Sequence, residues 1–403
     1  MIIVPLLIIV VIFIVRFQKG MFAALLIIVA TKSLLDAFWE YRIGPLSFIS
    51  FQGLVIPFLF MKIYSNRKVL PKAISINASL IIISYSIGLI FALPVEPLAT
   101  FELIIININI FLGFFLIPML VITPKRLKQF LLALIFGGIF PILVSVYQFI
   151  TGDIFHVRET VNLSRYVGFY HDAFPVRFYG LMTLFSVIVY FKYFKPKNNI
   201  ISLCLAGVAI GAIFSIYLVF SKAGIGILVC WAVLLIFSKR GHKNFLFLAL
   251  GLLVIIFLFG SDFFSNIEQL FSKEIDYQEG VNKDARYTLA GRGYIWQKLW
   301  ALFQERTLFF QWFGNGFNSP AHNEFLRVLL LSGFVGLIFF VLFLFNIVKT
   351  IFKFCKRDEA IFSLMLLTVF IFDCMGLIPG VFYYYNIIIW GFISFFILNK
   401  KII

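Results

Sequence analysis

The sequence predicts an all-α, polytopic integral membrane protein with about 12 or 13 transmembrane helices and two larger polar loops. Hydrophobic residues make up 62% of the 403-residue chain, and the mean hydropathy is +1.04. A water-soluble core cannot hide that much apolar surface, whereas a bilayer solvates it. Charged residues are 13% of the chain and cluster between the apolar runs. The whole chain, residues 1–403, is therefore predicted to be a single polytopic membrane domain.

Apolar runs long enough to cross a bilayer recur along the whole chain. The first run has no basic residue ahead of it and no small-residue cleavage site behind it, so we interpret it as a span and not as a signal peptide. Because this run is short, both 12 and 13 spans fit the sequence. The predicted spans are residues 2–15, 21–38, 44–63, 74–93, 102–123, 129–150, 178–194, 199–220, 223–237, 244–260, 325–347, 360–377 and 381–398.

Lysine and arginine predict the orientation of these spans. Most of the basic residues lie in short loops on one side of the membrane, and the positive-inside rule makes that side cytoplasmic. This pattern also explains the net charge of +16 as a topology signal, so we expect membrane lipid around the chain and no nucleic-acid partner. The two long polar loops, residues 151–177 and 261–324, fall on the opposite side, where we expect the function to reside.

The outward loops carry basic residues that the topology rule does not explain. One interpretation is a solvated loop with surface ion pairs, which contribute little. The other is an anion site, because a planar guanidinium holds phosphate oxygens in a fork and keeps its charge. The outward basic residues include Arg158, Arg165, Arg177, Lys222, Arg286 and Arg292.

The segment from Ser319 to Glu324 lies where the second polar loop meets an apolar run. Ser319 is a good N-cap and Pro320 suits the first helical position, which would place His322 at the third. A helix N-terminus attracts anions and favours neutral imidazole, the form that accepts a proton. The pattern predicts a general base beside an anion-binding helix end. The alternative is a loop histidine bonded to water or to a lipid headgroup.

These residues belong to a pattern that resembles the bacterial O-antigen ligase and O-antigen polymerase superfamily. The central match is His322-Asn323 followed, after nine residues, by Gly333-Phe334-Val335-Gly336. The turn Ser221-Lys222-Ala223 resembles the serine-arginine turn of the family, with lysine in place of the usual arginine. The resemblance covers residues 160–340. Other segments in the order of the family are Ser164 to Phe169, Gly291-Arg292 with Trp296, and Gly314-Asn315-Gly316.

The resemblance implies a GT-C-like, all-helical glycosyltransferase of the bacterial inner membrane, with its active site and both polar loops on the periplasmic face. Such an enzyme moves a glycan from undecaprenyl diphosphate to a hydroxyl acceptor and uses no metal or other cofactor. Carried onto this chain, His322 would deprotonate the acceptor, and Arg165 and Arg292 would bind the diphosphate and stabilise the charge of the leaving group. Lys222 would assist without the bidentate contact of an arginine. The further substrate-binding residues are Arg177, Arg286, Trp296 and Asn323.

Three functions remain open on the sequence. The leading prediction is a polymerase of O-antigen repeat units, with an undecaprenyl-diphosphate-linked oligosaccharide as substrate and a chain-length regulator as a candidate partner. The close alternative is the ligase, whose acceptor is lipid A–core. A transporter or flippase for lipid-linked sugars is the third hypothesis. Such a transporter should carry charges within its spans, whereas the charges here crowd the outward loops.

Overall fold

A computed structural model describes residues 20–43, 46–64, 70–196, 198–238 and 241–398, and these residues are almost entirely helical. The first predicted span, residues 2–15, lies outside them. In chain order the helices are α1 (Met21–Asp36), α2 (Phe48–Tyr64), α3 (Lys72–Ser86), α4 (Leu89–Ala92), α5 (Pro97–Leu120), α6 (Pro124–Thr151), α7 (Ala173–Tyr193), α8 (Asn199–Leu218), α9 (Lys222–Ile236), α10 (Gly241–Phe259), α11 (Ser261–Leu270), α12 (Ser272–Gln278), α13 (Arg292–Gln304), α14 (Leu308–Phe313), α15 (Glu324–Phe354), α16 (Arg357–Gly376) and α17 (Tyr383–Leu398).

Four two-residue strands form two antiparallel pairs in the described part of the chain. β1 (Arg42–Ile43) pairs with β2 (Leu46–Ser47), and β3 (Glu159–Thr160) pairs with β4 (Leu163–Ser164). The second pair lies in the first polar loop and folds the chain back on itself just before Arg165. Three short 3-10 turns complete the regular structure, at Ala285–Tyr287, Leu289–Gly291 and Pro379–Val381.

Seven of the described helical segments are long and apolar enough to cross a bilayer. An eighth is reached if the end of α10 and α11, which meet at a bend of 102°, count as one span. Four shorter apolar helices, α1, α2, α9 and α17, coincide with other predicted spans. The architecture thus agrees with the prediction of an all-helical, multi-pass membrane protein. The seven spanning segments are Lys72–Ala92 (α3 with α4), α5, α6, α7, α8, α15 and α16.

Local sequence signals explain where several helices begin and end. Thr123 caps α6 by accepting the Arg126 N–H at 3.2 Å, and Pro124 occupies the first helical position, where a missing N–H costs nothing. Helix α6 ends at Gly152, whose φ of 77° is accessible to glycine without strain. Asn198 caps α8 in the same way as Thr123 caps α6, with the Ile200 N–H at 2.8 Å.

The chain packs as two compact units. Among the described residues, the first unit lies within 20–52 and 120–270, and the second lies within 53–119 and 271–398. In the first unit, α6 packs against α1, α7 and α8, and α8 also packs against α10. Phe149 is central to this packing, since its ring lies 5.5 Å from that of Phe214 and 5.1 Å from that of Phe259. Aromatic contact of this kind adds to the burial of apolar area.

The second unit is built around α15, which packs against α3, α14, α16 and α17. Its core is aromatic: the Trp390 ring stacks on Phe114 at 5.6 Å and meets Phe343 edge-on at 4.9 Å. Gly336 lets α3 approach, because the Ser84 carbonyl lies 3.0 Å from where a β-carbon would be. Gly336 therefore serves the close packing of α15 against α3.

Candidate functional site

His322 lies immediately before the start of α15. The helix begins at Glu324, and Asn323 is its N-cap, with Asn323 Oδ1 accepting the Leu326 N–H at 3.1 Å. The prediction that Ser319 caps this helix and that His322 sits in its first turn is therefore wrong. Asparagine caps as well as serine does, and a cap at Asn323 puts Glu324 in the first turn, where the helix dipole favours a carboxylate. His322 itself has φ 48°, in the left-handed region.

We call residues 314–323 the His322 loop, and Trp296 on α13 fixes its end. The Trp296 indole N–H donates to the Ala321 carbonyl at 2.9 Å, one residue before the half-buried His322. Three predicted site residues, Trp296, His322 and Asn323, are thus brought together in the second unit. A cavity of about 300 Å³ opens beside them. Its lining residues are Trp296, Trp300, Asn323, Phe325, Leu326, Leu329 and Leu337.

The other end of the His322 loop docks into a break in α15. Gly333 has φ 65° and ψ −166°, which interrupts the helix and frees carbonyls of the preceding turn. The Gly316 N–H donates to the Leu331 carbonyl at 3.0 Å, and Arg306 Nη1 donates to the Leu330 carbonyl at 2.6 Å. Gly316 of the Gly314-Asn315-Gly316 segment therefore binds the helix turn that directly precedes Gly333 of the other glycine segment. Gly333 breaks the helix that the loop enters and also lets α14 approach closely, because a β-carbon at this position would collide with the backbone of Trp312.

A buried ion pair lies directly below the His322 loop. Arg327 Nε donates to Glu324 Oε2 at 3.0 Å and Arg327 Nη2 to Glu324 Oε1 at 2.5 Å, and both residues are at most 1% exposed. Arg327 Nη1 also donates to Asn318 Oδ1 at 3.2 Å, and its guanidinium lies 4.8 Å from the Tyr85 ring centre. The pair thereby ties the middle of the loop to α15. The sequence analysis did not pair Arg327 with Glu324, although their spacing of three residues places both on one face of a helix.

Arg292 is the first residue of α13, directly after Gly291, whose φ of 76° makes the turn that starts the helix. The side chain of Arg292 is half-buried. Its Nη1 lies 2.9 Å from where a β-carbon of Gly376 would be, so the guanidinium rests against the end of α16. The predicted diphosphate ligand Arg292 therefore belongs to the same unit as His322.

Arg286, another predicted substrate ligand, is held by a carboxylate. Arg286 Nε donates to Asp284 Oδ1 at 2.8 Å, and Arg286 Nη2 donates to Asp284 Oδ2 at 2.7 Å. Arg286 Nη1 donates to Gln297 Oε1 at 2.5 Å. Tyr294 also donates to Asp284, at 3.0 Å. The hydrogen bonds from the Arg286 side chain and backbone hold the pKa of Asp284 well below its usual range. To bind phosphate, Arg286 would first have to leave this partner.

The first unit gathers three other predicted ligands, which we call the cationic cluster: Arg165, Arg177 and Lys222. Arg177 Nη1 donates to the Ser221 hydroxyl at 2.9 Å, and Arg165 Nη2 donates to the Phe220 carbonyl at 3.3 Å. Lys222 begins α9, and Ser221 caps that helix. Three cations from separate segments thus meet at one turn and one helix N-terminus. Both features attract an anion such as phosphate.

A second polar group in the first unit was missed by sequence reasoning. Lys32 and Asp36 on α1 form an ion pair, and the Tyr179 hydroxyl donates to Asp36 Oδ2 at 2.5 Å. Lys32 is only 2% exposed. The available signal was a lysine and an aspartate four residues apart within an apolar run, the spacing of neighbours on one helix face.

Comparison with known proteins adds no relative. Among protein-family models none matches this chain, and no curated protein matches its sequence. Functional inference therefore rests on the His322 loop with Arg292, on the cationic cluster, and on the resemblance of their motifs.

Proposed function

We propose that this chain is a metal-independent membrane glycosyltransferase that polymerises repeat units of O-antigen or a related surface polysaccharide. Its donor is an undecaprenyl-diphosphate-linked oligosaccharide, and its acceptor is a sugar hydroxyl. The proposal includes a GT-C-like architecture of 12 or 13 spans in the bacterial inner membrane, with both polar loops on the periplasmic face. The motif resemblance supports each of these features.

The observation that carries the proposal is the convergence of the cationic cluster. The motifs nominated Arg165 and Lys222, and Arg177 was predicted as a further substrate-binding residue, although these three residues are up to 57 positions apart in the sequence. Their meeting at the N-terminus of α9 is what a diphosphate site requires, because fixed cations and helix N–H groups stabilise the same anion. A collection of unrelated surface charges would not be expected to contact one capped turn.

The proposed reaction divides the work between named residues. The imidazole of His322 takes the proton of the acceptor hydroxyl, and the resulting oxygen nucleophile attacks the anomeric carbon of the donor. The bond from that carbon to the diphosphate oxygen breaks, and its electron pair leaves with the diphosphate. Arg165, Arg292 and Lys222 neutralise the growing charge, which stabilises the transition state more than the ground state. The proton on His322 then passes to water.

The geometry around His322 suits the role of a base. The loop is held before His322 by Trp296 at Ala321 and by Arg327 at Asn318, and directly after His322 by Asn323, which caps α15. Anchors of this kind reduce the freedom that a catalytic side chain must lose on reaching the reactive arrangement. A non-glycine residue with positive φ is uncommon, and such conformations concentrate at functional sites.

Two alternatives share part of this evidence. A ligase would use the same donor and the same base, and would differ only in accepting lipid A–core. A lipid-linked sugar transporter is favoured by one observation, the Lys32–Asp36 pair with Tyr179, since buried charges within membrane helices mark transport pathways.

The lipopolysaccharide banding of a strain that lacks this protein separates the three functions. Loss of a polymerase leaves core carrying a single repeat unit. Loss of a ligase leaves bare core and retains polymer on the lipid carrier. Loss of a transporter leaves lipid-linked repeat units on the cytoplasmic leaflet. We expect the single-repeat pattern, restored by the wild-type chain and not by Arg177→Ala, which removes the guanidinium that contacts Ser221.

A further inference from the structure

The connection between α16 and α17 is short and carries none of the predicted site residues. It runs from Gly376 through the 3-10 turn Pro379–Val381 to Phe382. The structure anchors it firmly: Asn386 Nδ2 on α17 donates to the Pro379 carbonyl at 2.7 Å, and Trp390 Nε1 donates to Asn386 Oδ1 at 2.8 Å. Asn386 and Trp390 are completely buried. The connection is therefore a fixed surface.

Two guanidinium groups of the second unit lie against this connection at its two glycines. At Gly376, a β-carbon would be 2.9 Å from Arg292 Nη1 and 3.8 Å from Arg292 Cζ. At Gly380, a β-carbon would collide with Arg327 Nη2 and with Glu324 Oε1. Arg292 is the proposed diphosphate ligand, and Arg327 holds the His322 loop through Asn318.

The absence of a side chain at Gly376 has a direct consequence for Arg292. An arginine side chain has several rotatable bonds, so its charged end is useful in a transition state only if the surroundings hold it in place. Backbone without a β-carbon lets the flat guanidinium approach closely on one side. A methyl group at 2.9 Å would be too close, and the flexible end of Arg292 would move by a few tenths of an ångström while the backbone stayed in place.

We propose that the α16–α17 connection is a positioning element of the active site, and that Gly376 sets the location of the Arg292 guanidinium for the donor diphosphate. Gly376 is a positioning residue, because it acts only through Arg292. The inference rests on the proposed function for the role of Arg292, whereas the contact between Gly376 and Arg292 is independent of it.

The test is the variant Gly376→Ala. Residue 376 ends α16 in helical conformation, and alanine is favoured over glycine in helices, so the variant should fold. Gly207→Ala is the matched control, since Gly207 lies on the exposed side of α8 with nothing within 4 Å of its β-carbon position. Two measurements are made on each purified protein: the rate at which phenylglyoxal modifies Arg292, read by mass spectrometry, and the kinetics of glycosyl transfer.

We expect Gly376→Ala to change the modification rate of Arg292 several-fold and to lower kcat/KM for the donor by about tenfold, the order of a weakened charge-assisted hydrogen bond. Gly207→Ala should leave both unchanged. In an Arg292→Ala background, Gly376→Ala should cause no additional loss of kcat/KM, because the residue through which it acts is gone.

The outcomes separate the two proposals. An unchanged modification rate of Arg292 in Gly376→Ala overturns the positioning role. A full additional loss in the Arg292→Ala background also overturns it, since the glycine would then act by another route. A changed modification rate with unaltered transfer kinetics upholds the positioning of Arg292 and overturns its part in the proposed function.

Discussion

Replacement of Arg327 by methionine should destabilise the second unit and release the His322 loop. Arg327 makes two hydrogen bonds to Glu324, at 2.5 and 3.0 Å, and the carboxylate is completely buried. Methionine has a side-chain volume close to that of arginine, but the Arg327→Met variant leaves the Glu324 carboxylate without its guanidinium partner. Removal of one partner from a buried ion pair costs about 3–5 kcal/mol, more than replacement of the whole pair by apolar residues.

The double variant Glu324→Leu with Arg327→Met isolates that cost. Because the unpaired carboxylate is gone, the double variant should regain most of the stability lost in Arg327→Met. It should not regain full transfer activity, since the 3.2 Å hydrogen bond from Arg327 to Asn318 in the His322 loop is still missing. Loss of one such bond is worth about 0.5–1.5 kcal/mol, or roughly two- to tenfold in rate if it acts on loop order.

The assay is thermal unfolding of the purified protein in detergent, followed by transfer measured on the same samples. We expect the melting temperature to fall in Arg327→Met and to recover in the double variant. Equal melting temperatures for wild type and Arg327→Met would show that the unpaired Glu324 carboxylate costs no stability, contrary to this prediction. Full transfer activity in the double variant would refute the loop-tether role of Arg327.

Two other predictions follow from single hydrogen bonds. Trp296→Phe keeps an aromatic ring but deletes the 2.9 Å hydrogen bond to the carbonyl of the fully buried Ala321. Loss of a bond worth roughly 1 kcal/mol should slow transfer by about fivefold, and wild-type kinetics would contradict this. Asp284→Asn should raise the labelling of Arg286 by phenylglyoxal at neutral pH, since the carboxylate that holds the guanidinium is lost. Because this contact lowers the folded-state pKa of Asp284, the wild-type pair should persist at and above the ordinary aspartate pKa and break only as the pH falls through the lowered value. The carboxyl band in the infrared difference spectrum between wild type and Asp284→Asn follows this titration, and an Asp284 carboxyl already protonated at pH 5 would contradict the prediction.

The helices were predictable because apolar runs of span length have few alternatives in a chain this hydrophobic. Each predicted span after the first coincides with a described helix. The break at Gly333 was not predictable, because glycine inside an apolar run fits equally well with close helix packing. The Gly316 N–H and the Arg306 side chain bind the freed carbonyls of Leu331 and Leu330 and so stabilise the break.

In the candidate site too, the sequence predicted some residues, whereas tertiary contacts decided the rest. Motif order predicted Arg165 and Lys222 of the cationic cluster, and the excess of basic residues in the first polar loop predicted Arg177. Local capping rules predicted the helix start near His322. Those rules misplaced the start by several residues because Ser319 and Asn323 are both good caps, and tertiary contacts decided between them. The pairing of Arg286 with Asp284, two residues away, and the burial of Lys32 with Asp36 depend on side-chain directions that a sequence does not specify.

The most direct measurement of the central claim is transfer by His322→Asn in vesicles that contain an undecaprenyl-diphosphate-linked oligosaccharide. Asparagine tolerates the left-handed backbone at position 322, where φ is 48°, so this variant removes the base and keeps the loop. His156→Ala in the first polar loop is the control, as the ring of His156 contacts only Trp39 among the described aromatic neighbours. We predict that His322→Asn inserts normally and loses transfer while His156→Ala retains it. Undiminished transfer by His322→Asn would exclude His322 as the catalytic base.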